Sequence, residues 1–279
     1  MTVLKLAAFA DEIGPDIDHQ IRVCRQNGVT HFELRGADNK NVLDFDEPLK
    51  REIRGKLKAA GMGVACIGSP IGKVKIDEPW EPHFEKFKIA VALAEYFEAP
   101  FVRIFSYYPP EGQTDWGPWR DEILRRMRAK VDYVKDKNVV LVLENESHIY
   151  GDTGQRSLDL LRTVNHPKFR AAFDFANFVQ VGDYPEKIWP EIRPYVVHFH
   201  IKDALRNKKN VPAGQGEGRI PSIVADAYAN GYRGFLSLEP HLKYAGPSHG
   251  ETDESLFKVA ADALKAVCAK QRIPLAGVA

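Results

Sequence analysis

Four side chains that bind metals or transfer protons stand at the ends of four separate apolar runs. Glu144 follows Val-Val-Leu-Val-Leu, Asp174 follows Phe-Arg-Ala-Ala-Phe, His200 lies near the end of a third run, and Glu239 follows Phe-Leu-Ser-Leu. Taken singly, each is explained as a strand end satisfied by backbone amides, lysine or arginine. Four at equivalent positions on consecutive strands favour one shared site. Because three adjacent carboxylates repel one another, we expect a divalent cation between them.

Two histidines lie two residues apart in the third of these runs. His198 and His200 therefore point to the same face of the expected strand. A pair of imidazoles on a face this apolar costs stability unless hydrogen bonds or a metal satisfy it. His198 lies one layer deeper, so it is expected to support the site or to pack in the core rather than to bind the ion.

The elements that must position these residues alternate between strand and helix patterns along the whole chain. Eight strand–helix units in strict alternation favour parallel strands with right-handed crossovers. The predicted strands are 4–9, 30–35, 63–68, 101–105, 139–144, 169–174, 195–203 and 235–239, and the helices that follow include 49–60, 82–97, 120–137, 154–165, 185–192 and 254–269.

Eight such units close into a barrel, so the predicted fold is α/β, a single (β/α)8 TIM barrel. An open doubly wound sheet is the alternative, but no glycine-rich phosphate loop follows the first strand. No linker or change of composition divides the chain. Residues 1–279 are therefore expected to form one domain, with 271–279 as a short C-terminal tail.

Composition excludes several classes of protein. The 39 basic and 38 acidic residues give a net charge of +1, so neither nucleic acid nor an anionic membrane is an expected partner. Three widely spaced cysteines form neither a disulfide framework nor a zinc motif. The N-terminus runs directly into a strand without a signal-peptide pattern, and no apolar run is long enough to span a bilayer. A cytoplasmic location is expected.

Seven short motifs spread over nearly the whole chain resemble the xylose isomerase-like superfamily of metal-dependent barrels, and specifically its sugar phosphate isomerase/epimerase branch. The motifs are Phe9-Ala10-Asp11-Glu12, Glu33-Leu34-Arg35-Gly36, Ser69-Pro70-Ile71-Gly72-Lys73, Leu143-Glu144-Asn145, His198-Phe199-His200-Ile201-Lys202-Asp203, Gly216-Glu217-Gly218 and Leu238-Glu239-Pro240-His241. They are specific for the superfamily and poorly specific for the substrate.

The resemblance implies that Glu144, Asp174, His200 and Glu239 bind one divalent ion. This ligand set suits Mn²⁺, Mg²⁺, Co²⁺ or Zn²⁺, with Mn²⁺ expected first. In the ketose epimerases of the superfamily, the first and last glutamates also act as the acid/base pair: one removes a proton beside a carbonyl and the other returns a proton. The metal polarises that carbonyl and stabilises the enediolate.

Further candidates for substrate contact follow from the same resemblance and from strand ends. Arg206, six residues after the histidine ligand, occupies the position of a substrate-binding arginine, although an exposed loop arginine is an equal alternative. Asn177 stands where many members carry a histidine, which weighs against the three-metal nucleases of the superfamily. The other candidates are His198, Arg103, Lys73, Glu33 and Lys202. A Glu33–Arg35 ion pair is the structural alternative for Glu33, and Lys202 is expected to point outward because it follows an inward-facing histidine.

These observations favour a metal-dependent isomerase or epimerase of a small keto-sugar, sugar phosphate or polyol derivative. A metal-dependent lyase, dehydrating a keto-polyol or a shikimate-type acid, is the first alternative, because the same enediolate can expel a β-hydroxyl. An endonuclease-like phosphodiesterase and a non-catalytic sugar-binding barrel are more distant. The expected partner is a small carbohydrate, and a homodimer or homotetramer is possible.

Overall fold

Eight parallel strands close into a barrel in the computed structural model, which describes residues 3–245 and 250–277. Each strand pairs with the strands before and after it in the chain, and the first pairs with the last. The predicted (β/α)8 barrel is therefore confirmed. The strands are β1 Lys5–Ala8, β2 His31–Leu34, β3 Gly63–Ile67, β4 Phe101–Ile104, β5 Val140–Glu144, β6 Phe169–Asp174, β7 Val196–Ile201 and β8 Phe235–Leu238.

Helices follow the strands and cover the outside of the barrel. They are α1 Ile17–Gln26, α2 Glu47–Ala59, α3 Trp80–Phe97, α4 Arg120–Val134, α5 Gly154–Val164, α6 Phe175–Gln180, α7 Pro185–Ile192, α8 Ile220–Ala229 and α9 Asp253–Lys270. Among the described residues, no helix combines the length and the apolar character that a membrane crossing requires.

The helix α6 is absent from the sequence-based prediction. It begins directly after β6, where Asp174 accepts a hydrogen bond from the backbone N–H of Asn177 at 2.8 Å. Asp174 is therefore an N-cap residue as well as a strand end. This short helix fixes the orientation of Asp174 and places Asn177 beside it.

The glycine-rich loop 214–218 binds the carboxylate of Asp203, which follows β7. The backbone N–H groups of Gly214, Gly216 and Gly218 donate to it at 2.8, 3.0 and 2.9 Å. A Cβ at Gly216 would lie 2.3 Å from that carboxylate, so glycine is needed for the close approach. The loop therefore anchors the chain that follows β7.

The C-terminal tail pairs with the residue that precedes β1. Leu4 donates to the carbonyl of Pro274 at 3.0 Å, and Ala276 donates back to the carbonyl of Leu4 at 2.8 Å. Ile273, within the tail, is buried in the hydrophobic core. Residues 278 and 279 of the predicted tail lie outside the described part of the chain.

Gly72, in the loop after β3, offers a direct test of the packing at the top of the barrel. Its φ is +99°, and an added Cβ would lie 2.0 Å from the carbonyl oxygen of Phe105. We expect Gly72→Ala to lower the free energy of unfolding by about 2–4 kcal/mol, measured by urea denaturation.

The matched control is Gly55→Ala in the exposed interior of α2, where an added Cβ meets nothing within 4 Å. It should raise the free energy of unfolding by about 0.5–1 kcal/mol, because alanine is the better helix former. Equal stability of Gly72→Ala and the wild type would contradict the packing described here.

Candidate metal centre

The four residues that the sequence places at strand ends converge at the carboxyl end of the barrel. Glu144 and Asp174 close β5 and β6, His200 lies one residue before the end of β7, and Glu239 directly follows β8. Each is at most 3% exposed. One ligand atom from each of the four lies within 4.8 Å of the others. The alternation of buried strands therefore produces one compact cluster.

The donor atoms of this cluster fit a divalent cation. His200 Nδ1 lies 3.2 Å from Glu144 Oε1 and 3.6 Å from Glu239 Oε2. His200 Nδ1 and Asp174 Oδ2 are buried without a well-formed hydrogen bond, and their close contacts are Glu144 Oε1 at 3.2 Å and Lys202 Nζ at 2.8 Å. Buried polar atoms without hydrogen bonds are costly, and a divalent ion held by the four residues would satisfy both. Three carboxylates and one imidazole are also a ligand set suited to Mg²⁺ or Mn²⁺.

The second ring nitrogen of His200, Nε2, contacts Glu33. Glu33 Oε1 lies 3.1 Å from His200 Nε2, and Glu33 Oε2 lies 2.6 Å from His198 Nε2. A hydrogen on His200 Nε2 that points to Glu33 leaves the lone pair of Nδ1 facing the carboxylates, which is the tautomer that a metal needs. Although burial opposes ionisation, the two histidines hold the pKa of Glu33 well below its usual range.

Two of the candidate residues, Glu33 and His198, lie on the far side of His200 from the three carboxylates. Glu33 is not paired with Arg35, as the structural alternative proposed, but with His198 and His200. Arg35 instead contacts Asp11 at 2.7 Å and Glu239 at 3.3 Å. His198 is completely buried and contacts Glu33, and its role in the site stays a prediction.

Arg103 neutralises the cluster from the side of β4. Its Nη1 lies 3.1 Å from Glu144 Oε2 and 3.8 Å from Glu239 Oε1. Its other nitrogens donate to the carbonyls of Gly68 and Ser69. These contacts fix the guanidinium, so Arg103 orients the two glutamates.

Lys202 reaches the centre of the site, and the prediction that it points outward is wrong. Its Nζ lies 2.8 Å from Asp174 Oδ2 and 3.5 Å from Glu239 Oε2. Side chains of a strand alternate between its two faces, so Lys202, two residues after His200, belongs to the same face as the histidines. A turn in which Lys202 N donates to the His200 carbonyl at 3.1 Å directs the lysine to that face. The alternation rule, applied to this residue, would have found it.

Asn177 and Asn145 connect the two carboxylates of β5 and β6. Asn177 Nδ2 donates to the Asn145 carbonyl at 2.8 Å and lies 3.4 Å from Glu144 Oε1. The side chain of Asn145 forms two 3.0 Å hydrogen bonds with the backbone of Asp174. The sequence analysis did not assign Asn145 a role, because its partners are brought together only by the pairing of β5 with β6.

Two of the candidate substrate-binding residues lie away from the centre of the cluster. Arg206 pairs with Glu217 at 3.0 Å, donates to the Asp183 carbonyl and stacks on Tyr184. Lys73 pairs with Glu146 at 2.9 Å at the mouth of the barrel. These ion pairs do not involve the four predicted metal ligands. Direct contact of Arg206 and Lys73 with a substrate therefore stays a prediction.

A second His–carboxylate pair borders the cluster. His241 Nε2 lies 3.2 Å from Glu12 Oε1 and 3.6 Å from Glu239 Oε1. Although burial opposes its charge, Glu12 raises the pKa of His241 to about 9. Glu12 also accepts hydrogen bonds from the hydroxyl of Thr252 and the backbone of His241, so it joins the loops that follow β1 and β8.

Substitution of Glu33 tests its role behind His200. We expect Glu33→Gln to weaken Mn²⁺ binding by about 10–100-fold, because the amide is a weaker acceptor and no longer fixes the tautomer of His200. Isothermal titration calorimetry measures this affinity. Glu52→Gln, on the exposed surface of α2, is the control. An unchanged affinity in folded Glu33→Gln would show that His200 needs no such partner.

Metal affinity should also increase with pH. Burial raises the pKa of Asp174 to about 7, and the nearby carboxylates of Glu239 and Glu144 act in the same direction against Lys202. Although burial opposes the imidazolium, Glu33 and Glu144 raise the pKa of His200. Both groups must release a proton to bind metal, so Mn²⁺ affinity should rise roughly a hundredfold per pH unit below the pKa of Asp174, where both are protonated.

Titrations at pH 6, 7 and 8, in buffers of different ionisation enthalpy, measure both the affinity and the number of protons released. Equal affinity at pH 6 and pH 8, with no proton release, would contradict the proton content assigned to the cluster.

Comparison with known proteins agrees with this architecture. A family model described as xylose isomerase-like TIM barrel matches residues 21–267. A curated 3-dehydroshikimate dehydratase from Bacillus anthracis is 25% identical over 212 residues, which cover 72% of this chain and 74% of that protein.

Solved structures share the same fold. A xylose isomerase-like TIM barrel protein from Mycobacterium smegmatis, in complex with magnesium, aligns with a TM-score of 0.75 at 18% identity and covers 97% of this chain and 98% of its own. An L-ribulose 3-epimerase aligns with a TM-score of 0.74 at 15% identity, covering 98% and 96% of the two chains. At such identities these structures establish the fold alone. Because the family model spans most of the sequence, the chain belongs to the xylose isomerase-like TIM barrel family.

Proposed function

We propose that the protein is a divalent-metal-dependent isomerase or epimerase that acts on a small keto-sugar or related polyol. The observation that carries this proposal is the buried cluster of Glu144, Asp174, His200 and Glu239, in which one ligand atom from each residue lies within 4.8 Å of the others. An L-ribulose 3-epimerase and a 3-keto-D-glucoside 4-epimerase share the fold, so the fold is compatible with this chemistry.

The four residues of the cluster would hold the ion, for which Mn²⁺ and Mg²⁺ are the first candidates. A bound divalent ion polarises the carbonyl of the substrate and thereby acidifies the adjacent carbon. The remaining chemistry is a proton transfer, which side chains of this protein perform.

Glu144 and Glu239 are the acid/base pair. They come from β5 and from the end of β8, and each lies within 3.6 Å of His200 Nδ1, so they approach one point from different strands. One carboxylate removes the proton beside the carbonyl, and the other returns a proton to the neighbouring carbon or to the opposite face. Arg103 contacts both carboxylates and keeps them ionised and oriented.

Lys202 and Phe9 complete the surroundings of the reaction. The ammonium of Lys202 is a proton donor and a positive charge within 3.5 Å of Glu239, so it stabilises negative charge that develops on a substrate oxygen. The buried ring of Phe9 lies edge-on against His200 and under the guanidinium groups of Arg35 and Arg103. This ring excludes water from the inner side of the cluster.

A dehydratase is the second candidate, and one observation favours it. The 3-dehydroshikimate dehydratase from Bacillus anthracis is similar to this chain over most of its length. The same proton abstraction serves either reaction, and a hydroxyl β to the carbonyl then leaves as water. The position of the leaving group on the substrate distinguishes a dehydratase from an epimerase.

Hydrogen exchange with solvent tests the proposal. The metal-loaded protein should incorporate deuterium beside the carbonyl of a ketose in deuterated water without loss of water, as followed by NMR and mass spectrometry. A dehydratase would instead produce a conjugated carbonyl that absorbs in the ultraviolet.

At saturating metal, Glu144→Gln and Glu239→Gln should each reduce the rate of exchange by about 100-fold or more, because a proton-transfer group is lost. Glu52→Gln is again the surface control. Exchange at the wild-type rate in both variants would contradict the acid/base assignment.

A further inference from the structure

We propose that the protein binds an organic phosphate with an aromatic ring, the chemistry of a nucleotide, at the end of the barrel opposite the metal cluster. The site is a cavity of about 970 Å³ between the amino ends of four strands, helix α2 and the end of helix α3. Because the barrel strands are parallel, this amino end lies away from the strand ends that carry the cluster. The strand residues that line the cavity are Lys5, His31, Gly63 and Phe235, each the first of its strand.

Positive charge is concentrated at this cavity. Its described lining contains four side chains of lysine or arginine and one carboxylate, that of Glu98. The whole chain has a net charge of only +1, so the excess of positive charge is a local feature and does not reflect a basic protein. The four cations are those of Lys5, Arg51, Arg54 and Lys58.

Three of these cations are not neutralised. Arg54 pairs with Glu98 at 2.7 Å, which occupies the one carboxylate of the described lining. Among the described residues, no carboxylate forms an ion pair with Lys5, Arg51 or Lys58. The helix dipole favours a cation at Lys58, in the last turn of α2, but it does not account for Arg51 two turns earlier or for Lys5 on β1.

Helix α2 places its cations around an open space. Arg51, Arg54 and Lys58 are spaced by three and four residues, which brings their side chains to one side of the helix. Gly55 lies between them and also lines the cavity, where an added Cβ would meet nothing within 4 Å. Glycine is unfavourable inside a helix, and here it leaves the space between the three cations free for a ligand.

Aromatic side chains line the cavity beside the cations. The rings of His31 and Phe235 are 4.8 Å apart, and Lys5 Nζ lies 5.7 Å from the centre of the Phe235 ring. The guanidinium of Arg54 lies 4.9 Å from the centre of the Tyr96 ring. A ligand that carries both an aromatic ring and an anionic group would therefore find a partner for each.

The charges and the size of the cavity together define the class of ligand. Arginine and lysine are the usual partners of phosphate, which arginine binds through paired N–H donors. The volume lies near the upper end of the range for small-molecule sites, about 300–1,000 Å³, so it accommodates a ring in addition to a phosphate. Outside the cavity lining, the chain has more acidic than basic residues, which disfavours an extended polyanion such as nucleic acid.

Equilibrium binding to the Mg²⁺-loaded full chain tests the inference without reference to turnover. The probes are adenosine monophosphate (AMP), adenosine, which lacks the phosphate, and inorganic phosphate, which lacks the ring. We expect AMP to bind at least about tenfold more tightly than either, as measured by isothermal titration calorimetry. Absence of AMP binding, or AMP affinity no higher than that of adenosine or inorganic phosphate, would overturn the inference.

Removal of two cations locates the bound phosphate. Arg51→Gln combined with Lys58→Gln should weaken AMP binding by at least about tenfold, because charge-assisted contacts are lost. The matched control is Lys86→Gln combined with Lys135→Gln, which removes the same charge from exposed positions on α3 and directly after α4. Equal effects of the two double variants would overturn the assignment. So would unchanged binding in the first, since a phosphate on the metal ion would be insensitive to it.

A carboxylate introduced at Gly55 provides a further measurement. Gly55→Glu places a negative charge three or four residues from Arg51 and Lys58, where it can pair with both. Gly55→Gln has the same size and a similar helix propensity without the charge. We expect Gly55→Glu to bind AMP at least about tenfold more weakly than Gly55→Gln. Equal AMP affinity of these two variants would contradict a phosphate in this cavity.

Discussion

Buried negative charge at one end of the barrel is the constraint on which the site depends. Four carboxylates are almost completely buried there, which no protein tolerates without positive partners. Arg103, Arg35 and Lys202 supply fixed cations, and the histidines of β7 supply imidazoles that the carboxylates hold. In the proposed function, a divalent ion held by Glu144, Asp174, His200 and Glu239 would complete this balance. The four buried carboxylates are those of Glu33, Glu144, Asp174 and Glu239, and those of Glu12 and Asp203 are also buried at the same end of the barrel.

Much of the fold follows from local sequence. Apolar runs alternating with amphipathic segments set the number and order of strands, and the observed bounds differ from the predicted ones by a few residues at most ends. The same alternation placed Glu144, Asp174, His200 and Glu239 at equivalent strand ends, and the closed barrel brings them together because neighbouring strands end at the same edge. For these four residues the sequence pattern alone predicts the shared site, because residues at equivalent positions of neighbouring parallel strands lie at the same height in the barrel.

Other features depend on contacts between distant segments, and sequence patterns do not contain them. Glu33 lies on β2 and His200 on β7, so their contact across the barrel interior follows only from closure. Arg206 has the spacing of a substrate-binding arginine, but Glu217, brought near by the glycine loop that binds Asp203, pairs with it. The helix α6 is only six residues long, too short for a helical period to appear in the sequence.

The central claim is that one divalent ion lies between β5, β6, β7 and β8, and anomalous diffraction tests it most directly. Crystals grown with Mn²⁺ and measured near the manganese absorption edge should show one strong anomalous peak within coordination distance of Glu144, Asp174, His200 and Glu239. The ammonium of Lys202 should then lie farther from Asp174 than 2.8 Å, since the ion takes over that carboxylate. A map without a peak at this point, with Lys202 still bound to Asp174 at saturating Mn²⁺, would contradict the account.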